Sequence, residues 1–199
     1  MGQNFTKFAF TEGVKAAQEH YGSRDAYLRM EQAGDRYVLT DRESEFIRAR
    51  DSFYMATVGE NGWPYVQFRG GPQGFLNVLD ERTVGFADFR GNRQYISVGN
   101  LKDNERVALI LMDYPGRKRL KIWATARVAD VQDDPELSTT LTVEGYDAKV
   151  ERAIMLTVQA YDWNCPQHIV PRYTSTEISR EIAHLNPDVV SPCDAESTD

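Results

Sequence analysis

The first fifty residues carry apolar side chains at the spacing of short helices rather than of strands. A helix capped by Thr11 is predicted to run to His20, and a second is predicted from Asp25 to Gln32. A third begins near Asp41 in the segment DRESEFIRARD, where two apolar side chains form a narrow stripe. The chain is therefore expected to open with a helical extension over residues 1–50.

From residue 52 onward the apolar positions alternate, as they do in β-strands with one buried face. The dipeptide Asn61-Gly62 is a strong signal for a hairpin between the first two strands. A helix is predicted after the fourth strand. Strands are predicted at 53–58, 64–69, 75–79, 83–87, 106–112, 120–131 and 152–162, and further helices at 133–141 and 174–185. Six or seven strands joined mostly by hairpins predict a mainly β fold, an antiparallel barrel with helical additions.

The segment TVGFADFRGNRQYISVGNL, residues 83–101, combines a strand, a polar turn and the start of a helix. Asn92 is predicted to cap that helix, and Gly91 can adopt whatever backbone angle the turn requires. The unpaired N–H groups of the helix start, together with Arg90 and Arg93, would form an anion site that suits a phosphate group. A solvated, well-capped turn explains the same residues at least as well, so the pattern alone leaves both interpretations open.

Composition and charge narrow the classes of partner. The 199 residues are 41% hydrophobic and 27% charged, and the formal net charge is −7. Such an acidic chain is not expected to bind nucleic acid nonspecifically or to be drawn to anionic membranes. It has no apolar run long enough to span a bilayer, and its first residues do not match a signal peptide. Its two cysteines, Cys165 and Cys193, lie far apart, so we expect a cytoplasmic protein without a disulfide.

Three blocks of sequence follow one another in a recognisable order. They are ATVGENGWPYVQFRGGP at 56–72, GFADFRGNRQYISVGNL at 85–101, and the pair RLKIWATARV at 119–128 with YDWNCPQHIVPRY at 161–173. This order resembles the pyridoxamine 5′-phosphate oxidase-like superfamily of FMN-binding split barrels, in particular its branch of flavin-nucleotide-binding proteins. The resemblance implies a split barrel over residues 51–173, FMN as the cofactor, and a homodimer that holds FMN at its subunit interface.

The resemblance also implies which residues contact FMN. The phosphate would meet the polar residues that open the helix after the fourth strand. These are Arg90, Asn92, Arg93 and Gln94. The rest of the cofactor would meet residues on two strands. These are Gln67, Arg69, Ala87 and Asp88. An acidic group beside a phosphate is unfavourable, so Asp88 is expected to bond the ribityl chain or the backbone.

Four further residues are implied at the flavin, two as polar contacts to the ring and two from the second subunit. The polar contacts are Arg119 and Lys121, and the residues of the second subunit are Trp163 and Arg172. Either Lys121 or Arg69 could place a cation near the ring and favour its reduced form. From the residues alone, Lys121 suits an exposed strand position equally well, and Trp163 suits the core.

The chain departs from the true oxidase at two places. Gly70-Gly71-Pro72 stand where the oxidase has a lysine, and the C-terminal block lacks the oxidase's Arg- and His-containing signature. These departures argue against oxidation of vitamin B6. The predicted function is an FMN-dependent oxidoreductase that acts on a small organic substrate. The alternatives are a flavin-binding carrier or sensor, or a binder of haem or deazaflavin. Residues 174–199 are predicted to form a C-terminal helix and an acidic tail.

Overall fold

The computed structural model describes residues 3–35, 37–130, 132, 135–163 and 166–185. The strands are β1 (Ser52–Val58), β2 (Pro64–Gly70), β3 (Leu76–Val78), β4 (Thr83–Phe89), β5 (Arg106–Asp113), β6 (Lys118–Asp130) and β7 (Val150–Trp163). The helices are α1 (Thr6–Ala9), α2 (Glu12–His20), α3 (Arg24–Glu31), α4 (Asp41–Arg48), α5 (Ile96–Asp103), α6 (Pro135–Leu141) and α7 (Ser175–Leu185). The predicted acidic tail, both cysteines and the predicted helix start at 133 lie outside the described residues.

All neighbouring strands of the single sheet are antiparallel, in the order β2-β1-β5-β6-β7-β4-β3. The sheet curls strongly, because the ring of Phe53 on β1 lies 5.2 Å from that of Phe86 on β4, near the other end of the sheet. β2 and β3 remain as the two ends, so the barrel is open along one side. This arrangement confirms the predicted mainly β, antiparallel split barrel.

The core lies inside the curl and is built from alternate residues of the strands. On β6, Leu120, Ile122 and Ala124 are buried, while the residues between them are partly exposed. The same alternation buries Phe53 and Met55 on β1. A fully buried side chain of this size contributes roughly 1.5–3 kcal/mol. The alternation therefore determines which face of each strand turns inward.

The N-terminal segment covers part of the outer face of the sheet. The ring of Phe5 stacks on that of Trp123 on β6, with centroids 5.7 Å apart. The buried Asn4 amide donates to the carbonyl oxygens of Met30 and Ala33 at 3.0 and 2.9 Å. These bonds tie the start of the chain to the end of α3, so the predicted helical extension packs against the barrel at β6.

Most predicted element ends agree with the observed ones to within one or two residues. The hydroxyl of Thr11 accepts from the Val14 amide at 3.4 Å and caps α2, as predicted. The short helix α1 was not predicted, because its four residues are too few to show a period. None of the helices in the described ranges is both long enough and apolar enough to cross a membrane.

A buried carboxylate joins helix α4 to β7. Glu43 is 3% exposed and accepts from Trp163 Nε1 at 2.6 Å and from the Thr40 amide at 3.1 Å. The Trp163 ring also packs against Phe46, and the Arg42 guanidinium lies 4.4 Å from its centroid. Burial raises the pKa of Glu43, but the hydrogen bonds from Thr40 and Trp163 outweigh burial, so this pKa lies below its usual value.

We expect Glu43→Gln to lower the free energy of unfolding by about 2 kcal/mol near neutral pH, because a neutral amide cannot accept both sets of bonds. A carboxyl group with a lowered folded pKa stabilises the fold above its unfolded pKa, near 4.5. That contribution is lost as the pH falls through the lower folded value. Urea unfolding across the acid range should therefore show the difference from wild type narrowing below pH 4.5.

The exposed change Glu45→Gln on the same helix is the control for this measurement. A stability difference that stays constant as the pH falls would contradict the role given to Glu43.

Candidate functional site

A cavity of about 270 Å³ lies at the open side of the barrel, between β2, β4, β7 and the start of α5. Its polar and charged lining residues are Gln67, Arg69, Asp88, Asn92, Arg93, Tyr95, Ser97, Glu151 and Arg152. The lining contains three arginines and two carboxylates, so it carries an excess of positive charge. In the described part of the chain, no cluster of His, Cys, Asp and Glu side chains could hold a metal ion. The cavity is suited to an anion.

An ion-pair triad spans the opening of the barrel. The buried Asp88 of β4 accepts from Arg69 of β2 through one carboxylate oxygen and from Arg152 of β7 through the other, the latter at 2.8 Å. Arg152 lies opposite Asp88 in the β4–β7 register, whereas Arg69 reaches it from the far end of the sheet. We call Arg69, Asp88 and Arg152 the arginine clasp. It joins β2 to β4, two strands that have no backbone pairing with each other.

The strand period of β2 places its polar side chains in the cavity. Residues of β2 alternate between exposed and half-buried, and Gln67 and Arg69 fall on the half-buried face. Gln67 accepts from the buried Ser97 hydroxyl of α5 at 2.9 Å. Arg69 Nε is buried and has no hydrogen-bond partner among the described residues. A buried donor without a partner is costly, so this N–H can serve a ligand.

The turn before α5 differs from the prediction. Asn92 does not cap the helix, and its side chain instead accepts from the Gln94 amide at 3.2 Å within the turn. The N-cap is Tyr95, with φ 54°. Arg93 also has a positive φ, 62°, whereas Gly91 does not. The predicted cap was wrong because a local side-chain bond to the backbone competes with the capping geometry.

On the other side of the cavity, Glu151 of β7 accepts hydrogen bonds from several side chains. Its carboxylate accepts from Arg90 Nε and Arg152 Nη2, each at 2.8 Å, and from the Tyr95 hydroxyl at 3.4 Å. That hydroxyl in turn accepts from Arg93 Nε at 3.2 Å. The bond from Arg90, helped by Tyr95 and Arg152, holds the pKa of Glu151 below its usual value despite burial. Glu151 is therefore ionised at neutral pH.

The structure brings part of the predicted set together. The predicted residues that line the cavity are Gln67, Arg69, Asp88, Asn92 and Arg93. Arg90 lies next to the cavity and bonds to Glu151. The Ala87 side chain points instead into a small apolar cluster with Leu141 and Ala153, and Gln94 is exposed in the turn. The structure thus brings five of the predicted residues together around one cavity.

The other four predicted residues do not line this cavity. Arg119 is half-buried on β6, with no hydrogen-bond partner for its Nε among the described residues. Lys121 forms an ion pair with Asp162 at 3.5 Å. Trp163 packs on α4, and Arg172 lies 5.0 Å from the centroid of a tyrosine ring. Their contacts with the flavin stay predictions, as does the role of Trp163 and Arg172 from a second subunit.

Four polar or charged lining residues were missed by the sequence reasoning: Tyr95, Ser97, Glu151 and Arg152. The apolar pattern places Tyr95 inside the helix, whereas its backbone caps it. Glu151 and Arg152 belong to the start of a mostly apolar strand, where charged side chains are usually solvated. The signal that could have found Arg152 is the strand register, which sets it opposite Asp88.

Both the sequence and the fold are similar to known proteins. The family model for pyridoxamine 5′-phosphate oxidase matches residues 39–167. The solved structure of HupZ from Group A Streptococcus has a TM-score of 0.51 at 15% identity, covering 68% of this chain and 99% of HupZ. At this identity the likeness to HupZ concerns the fold alone. No curated protein matches the sequence.

Two further solved structures match with lower TM-scores. An FMN-binding protein from Syntrophomonas wolfei has a TM-score of 0.48 at 14% identity, covering 74% of this chain and 97% of its own. A Clostridium acetobutylicum protein related to general stress protein 26 has a TM-score of 0.46 at 18% identity, covering 69% of this chain and 94% of its own.

We expect Asp88→Asn to destabilise the fold by about 3 kcal/mol, because it leaves two largely buried guanidinium groups without their shared carboxylate. Thermal unfolding measures this loss. Inorganic phosphate should restore part of it, since an added anion can stand between the two arginines. Asp147→Asn, an exposed change, is the control. A variant as stable as wild type would show that the clasp does not hold the open side.

Proposed function

The chain belongs to the pyridoxamine 5′-phosphate oxidase family, and on that premise we propose that it is an FMN-binding flavoprotein of the cytoplasm. The observation that carries the proposal is the arginine-rich cavity at the open side of the barrel. A phosphate monoester carries close to two negative charges at neutral pH. Arginine is the residue best suited to bind such a group, because its planar fork donates two hydrogen bonds at once.

The residues of the cavity fit a phosphate dianion. Arg69 offers a buried N–H that has no partner among the described residues, and Arg93 is an exposed cation on the lining. The carboxylates of Asp88 and Glu151 each accept from two arginines, so they repel an incoming anion less than free carboxylates would. Each oxygen of Asp88 accepts one bond from an arginine, and a carboxylate oxygen can accept a second, so the contact with the ribityl chain stays a prediction.

We propose an oxidoreductase, because the chemistry supplied by bound FMN is electron transfer with a small organic substrate. The residues of this chain would bind and orient the cofactor, with Arg69, Arg93 and Arg152 at its phosphate. The Gly70-Gly71-Pro72 sequence favours a substrate other than pyridoxamine 5′-phosphate. The protein's own contribution is position and charge rather than a nucleophile.

The second candidate is a flavin carrier or sensor that does not turn over. It is favoured by the lining, which contains no histidine or cysteine among the described residues and whose titratable side chains are held in hydrogen-bonded pairs. Anaerobic mixing of the FMN-loaded protein with NADPH or NADH tests whether the protein is an enzyme that takes electrons from nicotinamide. Rapid bleaching of the flavin band supports an enzyme that uses nicotinamide, and an unchanged band with retained FMN supports a carrier or an enzyme with another donor.

We further propose that two copies associate through the outer face of β1, β2 and β5. Four apolar side chains are exposed there, and we call them the outer patch: Tyr54 (39%), Val66 (60%), Phe68 (58%) and Ile110 (40%). Phe68 and Ile110 lie on either side of Tyr54 in the strand register. An exposed, contiguous apolar patch is typical of an association surface.

Two of the residues predicted to contact the flavin, Lys121 and Arg172, border the outer patch, and Arg172 is one of those predicted to act from the second subunit. Lys121 is the register neighbour of Ile110. Arg172 stacks on the Tyr114 ring at 5.0 Å, and burial together with a hydrogen bond to Tyr54 raises the pKa of Tyr114. These contacts set two cations at the rim of the surface that would meet the partner, which supports a composite site.

We expect FMN to bind at least about tenfold more tightly than riboflavin, because riboflavin lacks the phosphate and its charge-assisted hydrogen bonds. Arg93→Ala should lower the affinity for FMN about tenfold and leave the affinity for riboflavin and the circular dichroism spectrum unchanged. Fluorescence titration of flavin-free protein measures both. Arg29→Ala, an exposed change on α3, is the control. Equal affinities of the wild type for FMN and riboflavin would refute a phosphate site.

We expect the wild-type chain to sediment as a dimer and Phe68→Glu as a monomer, because a charge buried in an apolar interface is costly to desolvate. Sedimentation velocity at matched concentrations measures the change. Tyr21→Glu, at a side chain that is 81% exposed beyond the outer patch, is the control. A monomeric wild type, or a Phe68→Glu variant that remains dimeric, would rule out this interface.

A further inference from the structure

The side chain of Tyr95 is held at three points around the cavity. Its ring lies over the Arg152 guanidinium, 4.8 Å from Cζ to the ring centroid. Its hydroxyl accepts from Arg93 Nε at 3.2 Å and donates to the Glu151 carboxylate at 3.4 Å. A single residue therefore connects the exposed arginine of the turn to the buried ion pairs of β7.

The backbone at this place is also unusual. Arg93 and Tyr95 both adopt a left-handed conformation, with φ 62° and 54°. Residues other than glycine rarely adopt this backbone conformation. They keep it only where contacts with their surroundings stabilise it. The nearby Gly91 could adopt it without cost but does not. The contacts of the Tyr95 side chain hold this turn, together with the bond that Asn92 accepts from the Gln94 amide.

The direction of the hydrogen bonds follows from the chemistry of Glu151. An ionised carboxylate can only accept, so the Tyr95 hydroxyl must donate to it. The lone pairs of the hydroxyl are then left for the Arg93 N–H. Glu151 is itself fixed by Arg90 and Arg152, each at 2.8 Å. In this hydrogen-bond chain Arg93 donates to Tyr95 and Tyr95 donates to Glu151, whose position is fixed by two arginines.

We propose that Tyr95 is a positioning residue that presents Arg93 to the phosphate of the ligand through this hydrogen-bond chain. The proposal rests on the proposed function, since it assumes a phosphate in the cavity. With its Nε bonded to Tyr95, Arg93 keeps the terminal nitrogens of its guanidinium for the phosphate. Prior orientation of the arginine lowers the entropy cost of ordering it when the ligand binds.

The test is a double-mutant cycle of wild type, Tyr95→Phe, Arg93→Ala and the double variant, titrated with FMN and with riboflavin. Tyr95→Phe keeps the ring on Arg152 and removes only the hydroxyl. We expect it to weaken FMN binding about fivefold, the size of one hydrogen bond. Riboflavin binding should be unchanged, and the hydroxyl should make no difference once Arg93 is gone. Tyr21→Phe, at an exposed side chain, is the control.

Three results would overturn the proposal: no change in FMN affinity, equal weakening of FMN and riboflavin, or the same fivefold loss in the Arg93→Ala background. The cycle is repeated with inorganic phosphate and read as a thermal shift, which needs no flavin. A phosphate-dependent shift that falls in Tyr95→Phe only while Arg93 is present supports the role of Tyr95 even if FMN does not bind. No shift by phosphate and no binding of FMN in the wild type would overturn both this proposal and the function.

Discussion

Ion pairs join the strands β2 and β4 across the open side of the barrel, whereas backbone hydrogen bonds join neighbouring strands elsewhere in the sheet. β2 pairs only with β1, and it reaches β4 through Arg69, whose partner Asp88 is also bonded by Arg152. Burying several charges costs desolvation energy, and apolar contacts could join the strands at least as well. We infer that the role of the arginine clasp is to hold guanidinium groups in fixed positions around the cavity.

The two-residue period of β2 links the cavity to the outer surface. Gln67 and Arg69 point to the cavity, while Val66 and Phe68, which alternate with them, are exposed on the opposite face. A one-residue slip of this strand would exchange the two sets of side chains. The register of β2 therefore fixes the positions of both Arg69 and the outer patch. A ligand in the cavity and a partner on the outer patch would both depend on that register.

The sequence predicted most of the fold, because alternation is a direct record of which strand face is buried. It predicted the cavity less completely, since the residues of β7 reach it only through strand pairing. Arg152 meets Asp88 across a separation of 64 residues, and no local pattern records that contact. The cap at Asn92 was wrong for a local reason: the Asn92 side chain accepts from the Gln94 amide within the turn, and Tyr95 takes the cap position. Like Arg152, Trp163 bonds to a distant residue, Glu43, a carboxylate on a helix that precedes the whole sheet.

The bond between Glu43 and Trp163 joins residues 120 positions apart, and Tyr161 donates to the Val38 carbonyl across 123. The ribosome makes the N-terminal segment before the sheet, whereas both of these partners lie on β7, the last strand of the described sheet. Contacts between such distant positions form slowly, because a long loop must close before they contribute. During synthesis, the contacts of Glu43 and Val38 with β7 can therefore form only after all the other strands of the described sheet have been made.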